Sequence, residues 1–165
     1  MARILIVGAG CRGRRLASEL VDEGHALRIS TRSEDGRAAI EAAGAECWIG
    51  TPDRLATMRA ALDGVAILCW LLGTAAGSEH ELRELHTSRL RFFLTQAIDT
   101  TVRGFVYESA GTTSPPGLLA EGEQIARALT ELNAIPAAFL TSDPRDDAAW
   151  LVEAGGAIDS LLSRR

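Results

Sequence analysis

The chain has 165 residues, is 47% hydrophobic and 24% charged, and carries a formal net charge of −5; this suits one globular domain, 1–165, burying roughly 70% of its unfolded surface, and excludes a disordered tail or a scaffold dependent on staples. The acidity argues against nucleic acid and anionic membranes as partners, and no apolar run nears the ~20 residues of a membrane span. All 17 basic residues are arginine, which excludes every mechanism that needs a lysine amine.

The first predicted strand, Arg3 to Val7, is a continuous apolar run, the pattern of a strand covered by helices on both faces. Its opening residues are too short a run for a signal peptide, and Cys11, Cys47 and Cys69 have neither disulfide nor zinc spacing, so a reducing cytoplasm is expected. The strand leads directly into Gly8-Ala9-Gly10-Cys11-Arg12-Gly13. Glycine is common here, so a bare G-x-G-x-x-G says little. Context decides it: the motif follows an apolar strand and opens a helix marked by Leu16, Leu20 and Val21, the setting of a dinucleotide-binding loop. Gly8 permits the tight turn, Gly10 lets the backbone approach a pyrophosphate, and Gly13 lets the helix pack closely on the sheet. The free amides and positive end of that helix attract the anion.

Two side chains in the loop have more than one reading. Arg12 offers the phosphates a second positive contact or is a solvated helix-start arginine; Arg14 and Arg15 read as surface. Cys11 reads as a small loop residue beside the cofactor, with a redox-sensitive thiol as the alternative.

The second strand, Ala26 to Ser30, ends at Ser30-Thr31-Arg32. NAD sites usually carry a carboxylate here to hold the ribose 2′-hydroxyl. The hydroxyls of Thr31 and Ser33 and the planar fork of Arg32 suit a 2′-phosphate instead, which favours NADP over NAD. A third strand is expected at Glu46 to Ile49, then a helix through Leu55, Met58 and Leu62, and a fourth strand at Val65 to Trp70, again continuously apolar and so central.

A long helix is expected next, from Leu82 through Leu85, Phe93 and Leu94 to Ile98. His80 and His86 on it are spaced wrongly for one metal-binding face and read as surface or interface. Phe92, Phe93 and Leu94 present an apolar patch that a homodimer would cover. The fifth strand, Phe105 to Glu108, precedes a Ser/Pro/Gly-rich loop, a helix through Ile125, Ala128, Leu129 and Leu132, and a sixth strand, Pro136 to Leu140. Asp143-Pro144 is expected to start a final helix, interrupted near Gly155-Gly156. Gly24, Gly44 and Gly64 each follow a helix, where a left-handed residue is needed.

Strands alternating with helices imply an α/β doubly wound parallel sheet, a three-layer αβα Rossmann fold of about six strands in the order 3-2-1-4-5-6, with the ligand crevice at the carboxyl ends of the strands.

Gly8-Ala9-Gly10-Cys11-Arg12-Gly13-Arg14-Arg15-Leu16-Ala17, then Thr31-Arg32, Gly50-Thr51-Pro52-Asp53 and Ala60-Ala61-Leu62-Asp63-Gly64-Val65, resemble the atypical short-chain dehydrogenase/reductases, in particular their NAD(P)-dependent epimerase or NmrA-like branch. The resemblance implies that Trp70, Leu71 and Leu72 meet the nicotinamide-side ribose. It also implies that the turn after the fifth strand carries a catalytic hydroxyl, with Ser109 the best match and Thr112 and Tyr107 the other candidates. The chain departs from the family by lacking its tyrosine–lysine pair: Tyr107 is the single tyrosine and lies within a strand. The substrate-binding region that follows in full-length members is also not recognised.

Three functional readings stay open. One is an NADP(H)-dependent oxidoreductase or epimerase-like enzyme acting on an unknown small-molecule substrate. Another is a noncatalytic dinucleotide-binding sensor or regulatory protein. The third is a 6-phosphogluconate dehydrogenase-like or ketopantoate-reductase-like amino-terminal domain, which shares Gly-Ala-Gly and an arginine after the second strand.

Overall fold

A computed structural model describes residues 1–8 and 10–164; Ala9 of the glycine loop and the terminal Arg165 lie outside it. Six parallel strands form one sheet in the order β3-β2-β1-β4-β5-β6: β1 (Arg3–Val7), β2 (Ala26–Thr31), β3 (Glu46–Ile49), β4 (Ile67–Trp70), β5 (Gly104–Glu108) and β6 (Ala137–Leu140). This is the expected doubly wound topology. The two continuously apolar strands sit at its centre, paired directly with Ile4 opposite Ile67 and Val7 opposite Trp70.

Alternation along β1 divides the core. Leu5 and Val7 face a cluster completed by α3 (Leu55–Met58), α4 (Glu79–His86), α5 (Ser88–Ile98) and α6 (Leu118–Leu132). Ile4 and Ile6 face the opposite cluster, which draws on α1 (Cys11–Asp22), α2 (Arg37–Ala42) and α7 (Asp147–Ser163). A strand buried on both sides needs apolar residues at every position, and all four of these side chains are essentially inaccessible. Gly24, Gly44 and Gly64 adopt positive φ at 90°, 79° and 71°, as helix-terminating glycines should.

Three expectations are corrected. The long helix after β4 is two helices, broken at Thr87 (φ −126°, ψ −87°). The Thr87 hydroxyl donates to the Arg83 carbonyl at 2.7 Å, and Ser88 donates to the Glu84 carboxylate, so local side-chain bonds compete with the helix here. The last helix is capped by Asp146, which accepts from the Ala149 amide, rather than by Asp143, and it runs through Gly155-Gly156 without interruption. Phe93 and Leu94 are buried in the core, leaving Phe92 as the exposed residue of the expected patch.

Candidate functional site

The carboxyl ends of β1, β2 and β4, with the chain just beyond β3, open onto a cavity of about 410 Å3. The turn from β1 into α1 forms one wall. At Gly8 φ is +90°, and a Cβ there would collide with the Leu71 carbonyl and the Leu72 side chain; only glycine lets the turn pass so close to the exit of β4. At Gly10, by contrast, a Cβ would meet nothing within 4 Å. That backbone faces open space, as the approach of a phosphate requires.

α1 starts without a side-chain cap and without an acidic residue in its first turn. The Arg14 amide takes the Gly10 carbonyl at 3.2 Å, and the amides before it have no helical acceptor. The positive end of the dipole therefore keeps its capacity for an anion. Gly13 is buried against the sheet, as a close helix-to-strand contact demands. Cys11 is exposed and its sulfur accepts from Arg14 at 3.3 Å. Arg14, expected on the surface, lines the cavity.

From the end of β2, Ser30, Thr31 and Arg32 line the same cavity. Arg32 is 61% exposed, and its nearest acid is Asp53 at 4.0 Å. Arg32 and Gly50 also border an adjoining hollow of about 490 Å3 reaching Arg54 and Thr57. Ser33 is exposed and directed to Asp35 at 3.4 Å rather than to the cavity lining. Leu71 and Leu72 line the cavity, whereas Trp70 is buried beneath, against Phe93.

Arg12 turns inward. Its guanidinium donates to Glu108 Oε1 at 2.9 Å and to the Thr74 hydroxyl at 3.1 Å, and it lies 4.5 Å over the Trp150 ring. Glu108, 1% exposed, also accepts from Trp150 Nε1 at 3.2 Å and from the Gly73 amide at 3.0 Å. A buried carboxylate needs such a full set of donors. Sequence reasoning missed Glu108, and the available signal was a carboxylate at the end of an otherwise apolar strand.

The three expected hydroxyls are not brought together at the cavity. Tyr107 is buried, its hydroxyl 2.8 Å from His86 Nδ1 and so close to α6 that only Gly122 fits opposite it. Burial raises its pKa well above the ordinary phenol value, and the charges of Glu123 and Glu108 add to this. His86, expected on the surface, is fully buried. Its Nε2 lies 3.3 Å from the Leu72 carbonyl, and burial pushes its pKa down to about 4 against a small opposing pull from that carbonyl. Ser109 has a buried hydroxyl with no hydrogen bond of normal geometry. It faces Glu123, where burial tends to raise the carboxyl pKa, but Ser109 and Arg127 outweigh this and hold it below the usual range. Thr112 is tied by its amide to the Gly73 carbonyl at 3.2 Å.

The six-stranded fold has solved counterparts. Solved reductases and an epimerase share it. Vestitone reductase from alfalfa (Medicago sativa) superposes with a TM-score of 0.63 at 15% identity, over 84% of this chain and 56% of that one. A UDP-glucuronic acid 4-epimerase variant from Bacillus cereus, in complex with NAD, gives 0.63 at 12%, over 83% and 55%. Triphenylmethane reductase from Citrobacter, complexed with NADP(H), gives 0.61 at 17%, over 83% and 48%. The chain spans about half the length of these proteins. No family model matches it, and no curated protein matches it either. Among the described residues no helix is long and apolar enough to cross a membrane.

Proposed function

We infer that the chain binds NADP(H), in preference to NAD(H), at the cavity between the start of α1 and the end of β2. One observation carries this reading: the cavity is bordered by an uncapped helix start at Gly10 and by Ser30, Thr31 and Arg32, with no carboxylate on β2 to receive a ribose hydroxyl. The residues suit the group. The Gly10 backbone has room beside it for a pyrophosphate, Leu71 and Leu72 supply apolar walls, and Arg32, with Thr31 beside it, faces the region where a 2′-phosphate would stand. NADP(H) would supply hydride chemistry only where its nicotinamide meets a substrate; this chain's residues would supply the phosphate contacts.

Binding is placed ahead of catalysis because Ser109, Tyr107 and Thr112 do not line the cavity. A reductase acting on a small carbonyl compound is the second reading, favoured by the fold shared with vestitone reductase and triphenylmethane reductase.

Titration calorimetry tests the first reading. A guanidinium–phosphate pair is worth about 1.5–3 kcal/mol, so Arg32→Ala should weaken NADPH about tenfold or more and leave NADH within twofold. Equal losses for both ligands would remove the 2′-phosphate role. NADPH consumption across a panel of aldehydes, ketones and quinones tests the second; a rate above that of buffer would establish it.

A further inference from the structure

A doubly wound sheet offers two mononucleotide-sized halves, one over β1-β2-β3 and one over β4-β5-β6. In this chain they differ sharply in room. The cavity of about 410 Å3 runs from the end of β2 across β1 to the loop after β4, while the hollow beyond it toward β5, between Gly10, Thr74, Glu108 and Trp150, holds about 20 Å3. Ligand pockets are commonly about 300–1,000 Å3; the smaller figure is close to the space of one water.

The protein's own groups fill the hollow toward β5. Arg12 enters from α1, Glu108 from β5 and Trp150 from α7, joined by the two bonds to Glu108 Oε1 and the stacking of guanidinium on indole. Above them the loops after β4 and β5 are closed on each other. The Thr112 amide donates to the Gly73 carbonyl, the Thr113 hydroxyl donates to the Ala75 carbonyl at 2.7 Å, and a Cβ would collide with the Ala110 carbonyl at Gly73 and with the Gly73 carbonyl at Gly111. A nicotinamide placed between the ends of β4 and β5 would have to displace this whole assembly.

We propose that the Arg12–Glu108–Trp150 cluster is a built-in plug, so that the site takes only the 2′-phospho-ADP half of an NADP-type ligand and leaves the nicotinamide end in solvent. The proposal rests on the NADP(H) reading above and narrows it. The ligand class becomes 2′-phosphorylated adenosine diphosphates. Such a site is indifferent to redox state, because NADP+ and NADPH present the same half to it. Hydride transfer between a nicotinamide and a substrate held at the end of β5 is then excluded by occupancy.

Titration calorimetry of the unmodified chain with 2′-phospho-ADP, NADP+, NADPH and nicotinamide mononucleotide decides it. The expected result is binding of 2′-phospho-ADP at least as tight as one-tenth of the NADPH affinity, NADP+ and NADPH within threefold of each other, and no detectable heat from nicotinamide mononucleotide. NADPH more than tenfold tighter than 2′-phospho-ADP, a redox preference above threefold, or binding of nicotinamide mononucleotide would overturn the plug and leave the NADP(H) reading standing. Failure of 2′-phospho-ADP, NADP+ and NADPH alike at millimolar concentration would remove both.

Discussion

At Arg32, exposure decides which anion wins. An open ion pair is worth about 0–1 kcal/mol, and Asp53 sits at the edge of contact, 4.0 Å away with 42% of its side chain exposed. Such a partner holds Arg32 near the cavity without competing seriously with a phosphate. Asp53→Asn should therefore raise NADPH affinity by about two- to fivefold in low salt, with the gain shrinking at high ionic strength; calorimetry at two salt concentrations measures both. His86 shows the opposite regime, where burial dominates. Its folded pKa is lowered to about 4 from an ordinary 6.5. Between these values the unfolded chain takes up a proton that the fold refuses, so the stability associated with His86 is complete above pH 6.5 and is lost as pH falls toward 4. The full window corresponds to on the order of 3 kcal/mol. Urea unfolding at pH 7 and pH 4.5 should show this loss in the natural chain, and His86→Asn, though less stable at both values, should show a smaller pH dependence. An unchanged pH dependence in His86→Asn would assign the acid sensitivity to other groups.

At the level of elements, strands were more legible than helix interiors. β1 and β4 read correctly because burial on both faces leaves an unbroken apolar run, and the turn from β1 into α1 could be placed because a strand and an amphipathic helix flank it. The break at Thr87 was hidden: Leu82, Leu85, Leu90, Phe93 and Leu94 all reach the core, and apolar periodicity does not register a helix that stops and restarts. The break turns His86 inward against Tyr107, which is why a polar residue that looked superficial is buried. Arg12 escaped for a related reason, since a charge at a helix start is ambiguous until its partner, nearly a hundred residues later, is in place. Gly155 and Gly156 misled in the other direction. They lie inside α7, neither has positive φ, and a Cβ at either meets nothing within 4 Å, so both carry the entropic cost of glycine without a visible structural return. Gly155→Ala and Gly156→Ala should each stabilise the chain by about 0.5–1 kcal/mol. A thermal melt should rise by roughly 1–4 °C per substitution, and a fall would mean that α7 needs a bare backbone there for a contact with another molecule.

For the whole molecule, Glu108 is the point where separate parts of the structure meet. Its carboxylate accepts from α1 through Arg12, from α7 through Trp150 and from the loop after β4 through Gly73, so one side chain joins two helices, β5 and the loop after β4 at the rim of the sheet. The pair with Arg12 is well shielded, with side-chain exposures of 1% and 13%. Desolvation nearly cancels the attraction in such pairs, yet removing one member strands the other and costs about 3–5 kcal/mol. Glu108→Met and Arg12→Met should each be destabilising on that scale. Arg12→Met combined with Glu108→Met fills similar volume without a charge, and it should be much less destabilised than the two single replacements added together. Equilibrium urea unfolding of the four proteins forms a double-mutant cycle, and the expected coupling is on the order of 3 kcal/mol, from uncompensated burial in each single variant. Additivity within about 0.5 kcal/mol would mean that water reaches and solvates the stranded charge. The crevice over β4-β5-β6 would then open readily, and a nicotinamide could compete with the protein's own side chains for it.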